Sequence, residues 1–311
     1  MSWLLYLPAS LAALIMFLRL VSLVLPRGPA DMVRFAAFMV TAFIMLLFSA
    51  SYGVVASILC RCAGYGGLSQ WTTGRSFKWL MWWTTGVTFS VHDNGKSVGG
   101  RRGGEEALLE RPAVFVGNHQ SELDVLMLGC IFPQYCSVTA KSSLKWMPFL
   151  GWFMSLSKTV FIDRANRATA RAAFDSAVDT MRSSRQSVFI FPEGTRSYAS
   201  EPTLLPFKKG AFHLAVQAQV PIVPIVCANY SNVLDAKKRR FNPGVVDVSV
   251  LPPIPTKGLT SADVDRLVEK TRNAMMEELV RLSHVSGTGN GVPLPRASGA
   301  DNARGELRKR V

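Results

Sequence analysis

His119 and Asp124 form the first candidate for a catalytic pair in this sequence, within the stretch NHQSELD at 118–124. A short apolar run before it, 113–116, predicts a buried strand, and a second apolar run, 125–131, follows it. If His119 lies in the loop and Asp124 in the first turns of a following helix, the carboxylate can reach back to the imidazole. A histidine oriented by an acid is suited to act as a general base. The alternative is a solvated loop histidine that happens to precede an aspartate.

A second candidate is Arg164, which ends the stretch FIDR at 161–164 after a predicted strand. An arginine at a strand end can bind a phosphate through two of its N–H groups. The alternative is an ion pair between Asp163 and Arg164 that caps the next helix. The residues alone leave both interpretations open.

The stretch FPEGTRS at 191–197 carries more polar groups than a simple turn after a buried strand requires. Gly194 lets the backbone approach a ligand, and Thr195 offers a hydroxyl beside Arg196. Together these groups predict a loop that holds an oxyanion. Lys141 adds positive charge near another predicted strand end.

Short β-rich runs alternate with helical patterns in the C-terminal two thirds of the chain. This alternation predicts an α/β domain with a mixed, largely parallel sheet flanked by helices. The predicted strands are 113–116, 137–140, 159–162, 188–191, 222–227 and 245–251, and the predicted helices are 166–182, 207–217 and 262–282. The run 220–225 contains two prolines, which suits either the wall of an acyl-chain groove or an edge strand.

The N-terminal third is strongly apolar. Two runs, 4–25 with Arg19 as its one charge and 35–60 with none, each have about the 20 residues needed to cross a bilayer. The connector 26–34 between them predicts a helical hairpin, and the positive charge after the second run favours a cytosolic catalytic domain. The next stretch, 71–89, interleaves tryptophans with basic residues, which predicts a helix in the headgroup region. The alternative is that these tryptophans pack a soluble core.

These patterns divide the chain into four segments. They are two transmembrane helices at 1–62, a membrane-interface helical segment at 63–95, a catalytic domain at 96–284 and a disordered basic tail at 285–311. The formal net charge of +14 indicates an anionic partner. An anionic membrane leaflet or a polyanionic small molecule is favoured over nucleic acid, because zinc-finger spacing, an RNP-like aromatic motif and a basic heptad region are all missing from the sequence.

The chemical motifs, taken in order, resemble the four ordered motifs of the glycerolipid acyltransferases. These motifs are His119-x4-Asp124 and the stretches 161–164, 191–197 and 220–225. Within that superfamily the chain resembles the 1-acyl-sn-glycerol-3-phosphate acyltransferases, which make phosphatidic acid, and its flanking sequence is similar to the fungal enzymes. The block 140–152 is also similar to that branch, although Ser142 stands where many relatives have a second lysine.

The resemblance implies direct transfer of an acyl group from acyl-CoA to the sn-2 hydroxyl of lysophosphatidate, without an acyl-enzyme. His119 would be the general base, and Asp124 would orient it. The residues implied to bind substrate are Lys141, Arg164, Glu193, Gly194, Thr195 and Arg196. We expect no metal and no organic cofactor, since acyl-CoA is a co-substrate. The resemblance also implies an integral membrane protein of the endoplasmic reticulum whose catalytic domain faces the cytosol.

Two alternative functions remain open at this point. One is acylation of a different acceptor, such as glycerol 3-phosphate or another lysophospholipid. The other is a non-enzymatic membrane scaffold with merely solvated polar loops, which leaves the ordered polar motifs unexplained.

Overall fold

The computed structural model describes residues 10, 13–17, 20–21, 24–92, 95, 97–98, 100–163 and 166–285. The first predicted membrane run, 4–25, lies largely outside this described part of the chain. Arg164 lies outside it as well, and so does the predicted basic tail apart from residue 285.

Seven α-helices and eleven strands lie wholly within the described part of the chain and are numbered in chain order. The helices are α1 (Arg27–Cys62), α2 (Ser69–Thr85), α3 (Asp124–Ile131), α4 (Leu150–Leu156), α5 (Arg167–Ser184), α6 (Gly210–Ala218) and α7 (Val264–Val285). The strands are β1 (Val87–His92), β2 (Ser97–Val98), β3 (Arg101–Arg102), β4 (Val114–Gly117), β5 (Cys136–Lys141), β6 (Val160–Ile162), β7 (Ser187–Ile190), β8 (Ile222–Cys227), β9 (Leu234–Asp235), β10 (Arg240–Phe241) and β11 (Gly244–Val250).

A seven-stranded sheet in the order β1-β11-β8-β4-β7-β5-β6 forms the centre of the molecule. Strands β4 to β8 run parallel to one another, whereas β11 is antiparallel to β8 and parallel to β1. The predicted mixed, largely parallel sheet flanked by helices is therefore confirmed. Each predicted strand is present in it, and each of its ends lies within one residue of the predicted position.

The pleat of the sheet separates two hydrophobic layers. In β4, Phe115 packs with α2 and α3 on one face, whereas Val114 and Val116 pack with α5, α6 and α7 on the other. Neighbouring residues of a strand point to opposite faces, so a fully apolar strand fills both layers at once. This burial fixes the strand ends from which the polar motifs emerge.

The run 220–225 is neither an edge strand nor the wall of a groove, so both expectations drawn from its two prolines are wrong. β8 lies between β11 and β4 in the interior of the sheet, and all its residues are buried. The strand accommodates Pro224 because β11 ends at Val250, opposite Ile225. The Pro224 carbonyl still accepts a hydrogen bond from Leu251 N at 2.8 Å.

The predicted connector 26–34 belongs mostly to α1, which begins at Arg27. Pro29 falls in the first helical turn, where its missing N–H is not needed, so the proline-containing stretch does not form a loop. Among the described residues, Gly28–Cys62 is the one segment long and apolar enough to cross a membrane, with a mean hydropathy of 2.1. One face of α1 packs on the catalytic domain along its length, with buried residues from Ala30 to Ser57.

The stretch 71–89 is split between a helix and a strand. α2 ends at Thr85, and β1 forms an edge strand of the catalytic sheet, so the sheet begins before residue 96, where we expected the catalytic domain to start. Three of its tryptophans are exposed and do not pack a core, whereas other apolar residues of the helix do, and a location in the headgroup region stays a prediction. Phe77 and Met81 are buried in the core, whereas the exposed aromatic side chains are those of Trp79, Trp82 and Trp83.

Candidate active site

The loop between β4 and α3 brings His119 and Asp124 together. His119 Nδ1 lies 2.7 Å from Asp124 Oδ2. Asp124 is the first residue of α3, and the same oxygen accepts hydrogen bonds from the backbone N–H groups of Gln120 at 2.6 Å and Ser121 at 3.1 Å. A carboxylate that accepts from amides at a helix N-terminus is favoured by the helix dipole as well. This is the geometry of a loop histidine and a helical aspartate that the spacing suggested.

Tyr230 completes the set of donors around the carboxylate. Its hydroxyl donates to Asp124 Oδ1 at 2.8 Å and accepts from Ser121 N at 2.9 Å. Burial and the negative charge of Asp124 both raise the pKa of Tyr230 well above its ordinary value, so the phenol stays a donor. Asp124 is 1% exposed and accepts from four groups. Its carboxylate therefore holds the proton of His119 on Nδ1, which leaves Nε2 as the basic nitrogen.

The loop that carries His119 is anchored from two sides. Asn118 exchanges two hydrogen bonds with the backbone of Cys227, at 2.9 and 2.8 Å. On the other side, Ser197 N donates to His119 O and Tyr198 N donates to Gln120 O, both at 3.0 Å. The loop is therefore fixed to the end of β8 and to the stretch 191–198.

Phe191 holds the imidazole from one face. Its ring stacks on His119 with centroids 4.2 Å apart and planes 18° from parallel. Together with the Asp124 hydrogen bond, this contact restricts the ring to one orientation. A preorganised base loses less freedom when a substrate binds.

Glu193 binds the backbone of the histidine loop. It is 3% exposed, and its two oxygens accept backbone N–H groups, from His119 at 2.7 Å and from Leu205 at 2.9 Å. Burial raises the pKa of Glu193, although these two N–H groups favour its charged form. The side chain lines neither of the large cavities, and its contact with substrate stays a prediction. In the structure Glu193 positions the histidine loop.

The remaining predicted substrate contacts divide between two cavities. Lys141, Thr195 and Arg196 line a cavity of about 510 Å³ together with His119. Gly194 lines a second cavity of about 1070 Å³, on the face of α5 and α6. We expected it in the histidine cavity, and it is not among the residues that line that cavity. Its positive φ of 70° and the close approach of the Lys208 side chain explain the glycine at this position.

Arg196 is held by two residues that the sequence did not suggest. Its Nη1 donates to Glu122 Oε1 at 3.1 Å and to the Tyr198 hydroxyl at 3.3 Å, and that hydroxyl donates to the same Glu122 oxygen at 2.6 Å. Burial alone would lower the pKa of Arg196, but these neighbours raise it, so the guanidinium stays charged. Arg196 Nε is buried and has no hydrogen-bond partner within the described part of the chain.

The histidine cavity has a polar side and an apolar side. The ionisable side chains and one hydroxyl come from the strand ends and the loops after them, namely His119, Lys141, Thr195, Arg196 and Tyr198, and helices α1 and α2 add the uncharged Ser49, Gln70 and Thr73. The apolar side chains come mainly from helices α1 to α4, among them Leu46, Ala50, Phe77, Leu128, Phe153 and Met154. Such a cavity can hold an anionic group near the imidazole and a hydrocarbon chain between the helices.

Within the described residues, no group of three or more His, Cys, Asp or Glu side chains is placed to hold a metal ion. The polar side of the histidine cavity offers cations and hydroxyls, which are ligands for an anion.

Comparison with known proteins adds three findings. Residues 101–228 match a protein family described as Acyltransferase. The chain is 45% identical over 233 residues to a 1-acyl-sn-glycerol-3-phosphate acyltransferase of Saccharomyces cerevisiae, which covers 75% of this chain and 73% of that protein. It is 41% identical over 198 residues to the Homo sapiens 1-acyl-sn-glycerol-3-phosphate acyltransferase alpha, which covers 64% of this chain and 69% of that protein.

The fold is similar to that of a solved structure. The crystal structure of the 1-acyl-sn-glycerophosphate (LPA) acyltransferase from Thermotoga maritima matches with a TM-score of 0.61 and 22% sequence identity. The match covers 82% of this chain and 98% of that one. The catalytic sheet and its flanking helices are therefore an acyltransferase fold.

Proposed function

The chain belongs to the 1-acyl-sn-glycerol-3-phosphate acyltransferase family, and we propose that it moves an acyl group from acyl-CoA to the sn-2 hydroxyl of lysophosphatidate with His119 as the general base. The product is phosphatidic acid. The observation that carries the mechanism is the 2.7 Å contact between His119 Nδ1 and Asp124 Oδ2, on the wall of a cavity with a cationic and an apolar side.

The proton moves through His119 in both halves of the reaction. Nε2 accepts the proton of the sn-2 hydroxyl as its oxygen attacks the thioester carbonyl. The tetrahedral intermediate then collapses, the carbon–sulfur bond breaks, and the imidazolium returns the proton to the departing thiolate. Asp124 stabilises the imidazolium in between, and a positioned base of this kind contributes about 10²–10⁴-fold to the rate.

The phosphate of the acceptor lies, in this proposal, against Arg196, Thr195 and Lys141. Arg196 is suited to this role because Glu122 and Tyr198 hold only Nη1, while Nε has no partner among the described residues. A guanidinium held from one side can offer its remaining N–H groups to a phosphate. Arg164 is proposed as a further phosphate ligand on the resemblance alone.

An acyl chain occupies the apolar side of the cavity in this proposal. The walls there come from α1, α2, α3 and α4, and they bring hydrocarbon next to the imidazole. Because the thioester is already activated, the reaction needs positioning more than additional activation. We therefore propose that it uses neither a metal nor an organic cofactor beyond the co-substrate acyl-CoA.

We also propose the location of the reaction. The exposed apolar residues of α1 and the net charge of +14 suit an anionic leaflet. The endoplasmic reticulum, with the catalytic domain on the cytosolic side, follows from the positive charge after α1 and from the family.

The test is incorporation of labelled oleoyl-CoA into phosphatidic acid by membranes that contain the protein, with and without lysophosphatidate. We expect His119→Ala to lose about 10²–10⁴-fold of the rate while remaining folded. His213→Ala is the matched control, since His213 is exposed on α6 and lines the second cavity. Normal turnover by His119→Ala would refute the role of the base. Product from glycerol 3-phosphate or another lysophospholipid, but not from lysophosphatidate, would refute the acceptor.

A further inference from the structure

A group of large apolar side chains projects from the segment between β5 and α4. Trp146 is 84% exposed, Trp152 is 55% exposed and Phe149 is 44% exposed, and Met147 beside them is exposed as well. We call these four residues the aromatic lip. A contiguous patch of exposed tryptophan and phenylalanine is unfavourable in water and typical of a surface that contacts another apolar phase.

The same segment is apolar on its inner side. Leu144, Leu150, Phe153 and Met154 line the histidine cavity, whereas the lip residues do not. The segment therefore separates the cavity from the outside by a single layer of chain. A wall that is apolar on both sides is explained if lipid lies on its outer side.

The segment that carries the lip packs against α1. Helix α4 packs against α1 so closely that a Cβ on Gly53 would lie 2.6 Å from the ring of Phe153. The α1 residues around Gly53 that face outward are apolar, with Tyr52 and Val55 exposed. Because α4 packs on α1, the lip lies beside the helix that is apolar enough to cross a membrane.

The charges near the lip in sequence are positive, which favours contact with an anionic membrane. The sequence has no Asp or Glu from 125 to 162, whereas Lys141, Lys145 and Lys158 lie within that span and are exposed. Aromatic side chains flanked by lysines are the composition that partitions into the headgroup region of anionic membranes.

The lip is held in shape by its backbone. A Cβ on Gly151 would lie 2.2 Å from Lys145 O, so the segment folds back tightly on itself. The rings of Phe149 and Trp152 contact each other with centroids 5.1 Å apart. The exposed side chains are thus presented together, which lowers the entropy lost when they insert.

We propose that the aromatic lip inserts into an anionic phospholipid leaflet beside α1 and borders the opening through which an acyl chain passes sideways from the bilayer into the histidine cavity. The insertion stands on the exposed surface itself. The passage of the chain rests on the proposed function. A second copy of the chain is the other candidate to cover the patch, and the test separates the two.

The first experiment measures what contacts the lip. The full chain is reconstituted in vesicles of phosphatidylcholine and phosphatidylserine, with Trp146→p-benzoylphenylalanine as the photoreactive variant. The control is the same substitution at Glu269, which is exposed on α7, on the opposite face of the sheet. We expect phospholipid adducts at Trp146 in about tenfold excess over Glu269. Equal yields at both positions, or adducts with a second copy of the chain, would overturn the insertion.

The second experiment separates lipid entry from chemistry. The double variant Trp146→Ser with Phe149→Ser keeps all cavity-lining residues. We expect its rate on long-chain lysophosphatidate in vesicles to fall about tenfold, and its rate on a short-chain, water-soluble lysophosphatidate to stay within about twofold of the original. Equal losses on both substrates, or no loss in vesicles, would overturn the entry role. If the unaltered protein acylates neither substrate, the proposed function fails, and the cross-linking result still decides the insertion.

Discussion

The substitution Glu193→Gln distinguishes a residue that positions the base from one that binds substrate. In the structure, the two carboxylate oxygens accept the N–H groups of His119 and Leu205 at 2.7 and 2.9 Å. A glutamine has the same shape but one acceptor fewer, so its NH2 group faces one of these N–H groups. One buried amide therefore loses its partner, and the other loses a charged acceptor.

The expected cost follows from the burial of this pair. An unsatisfied buried donor costs about 1–3 kcal/mol, and Tm falls by about 2–4 °C per kcal/mol for a chain of this size class. The displaced His119 backbone moves the imidazole, and a misplacement of about 1 Å can cost about 10²-fold in kcat. The KM for lysophosphatidate should change by less than about twofold, because Glu193 does not line the cavity.

The pH dependence of the effect has a definite sign. Burial raises the pKa of Glu193 above its ordinary 4.5, so the folded state holds the proton more tightly than the unfolded state does. The stabilisation from this linkage is present below pH 4.5 and is lost as the pH rises through the raised pKa. Glutamine does not titrate. The difference in free energy of unfolding between the two proteins should therefore narrow as the pH rises through that window.

The assay combines thermal unfolding at several pH values with steady-state kinetics on lysophosphatidate. The matched control is Glu122→Gln, since Glu122 holds Arg196 at 3.1 Å and should affect the KM for lysophosphatidate instead. A Glu193→Gln protein with unchanged Tm and kcat but a raised KM would refute the positioning role. That result would indicate that the Glu193 carboxylate binds substrate.

Three further substitutions test the rest of the site. Tyr230→Phe removes the donor to Asp124 Oδ1 and should lower kcat about tenfold, with a loss of about 1–3 kcal/mol in the free energy of unfolding. An unchanged kcat in a steady-state assay would show that Tyr230 does not support the general base. Arg196→Ala should raise the apparent KM for lysophosphatidate far more than the KM for acyl-CoA, and equal effects on both would count against a phosphate clamp. Leu128→Phe narrows the apolar side of the cavity and should shift preference toward shorter acyl chains in a competition assay with lysophosphatidates of mixed chain length, whereas an unchanged product profile would place the chain elsewhere.

Much of the framework was predictable because it depends on local pattern. The ends of every predicted strand are found within one residue, since runs of apolar residues bounded by polar ones encode buried strands directly. The contact of His119 with Asp124 was predictable for a related reason. Both residues belong to one strand–loop–helix unit, so the spacing alone brings the carboxylate back to the imidazole.

The errors concern residues whose position depends on distant parts of the chain. The prolines of β8 suggested an edge strand, but its neighbours in the sheet are β4 and β11, which no local signal specifies. β1 was not predicted for the same reason. It pairs with β11, which lies more than 150 residues further along the chain.

The sequence by itself determined the order of the motifs, the type of fold and the identity of the histidine–aspartate pair. Only the tertiary structure decided which residues support that pair. Tyr230 is 106 residues from Asp124, and in sequence it looks like an ordinary polar residue. Glu193 is 74 residues from His119, and its motif indicated a substrate contact and not a hydrogen bond to the histidine loop. Hydrogen bonds across such separations are set by the register of the sheet and by which loops its edges bring together. Those follow from packing the whole chain, and the residues near either partner do not encode them.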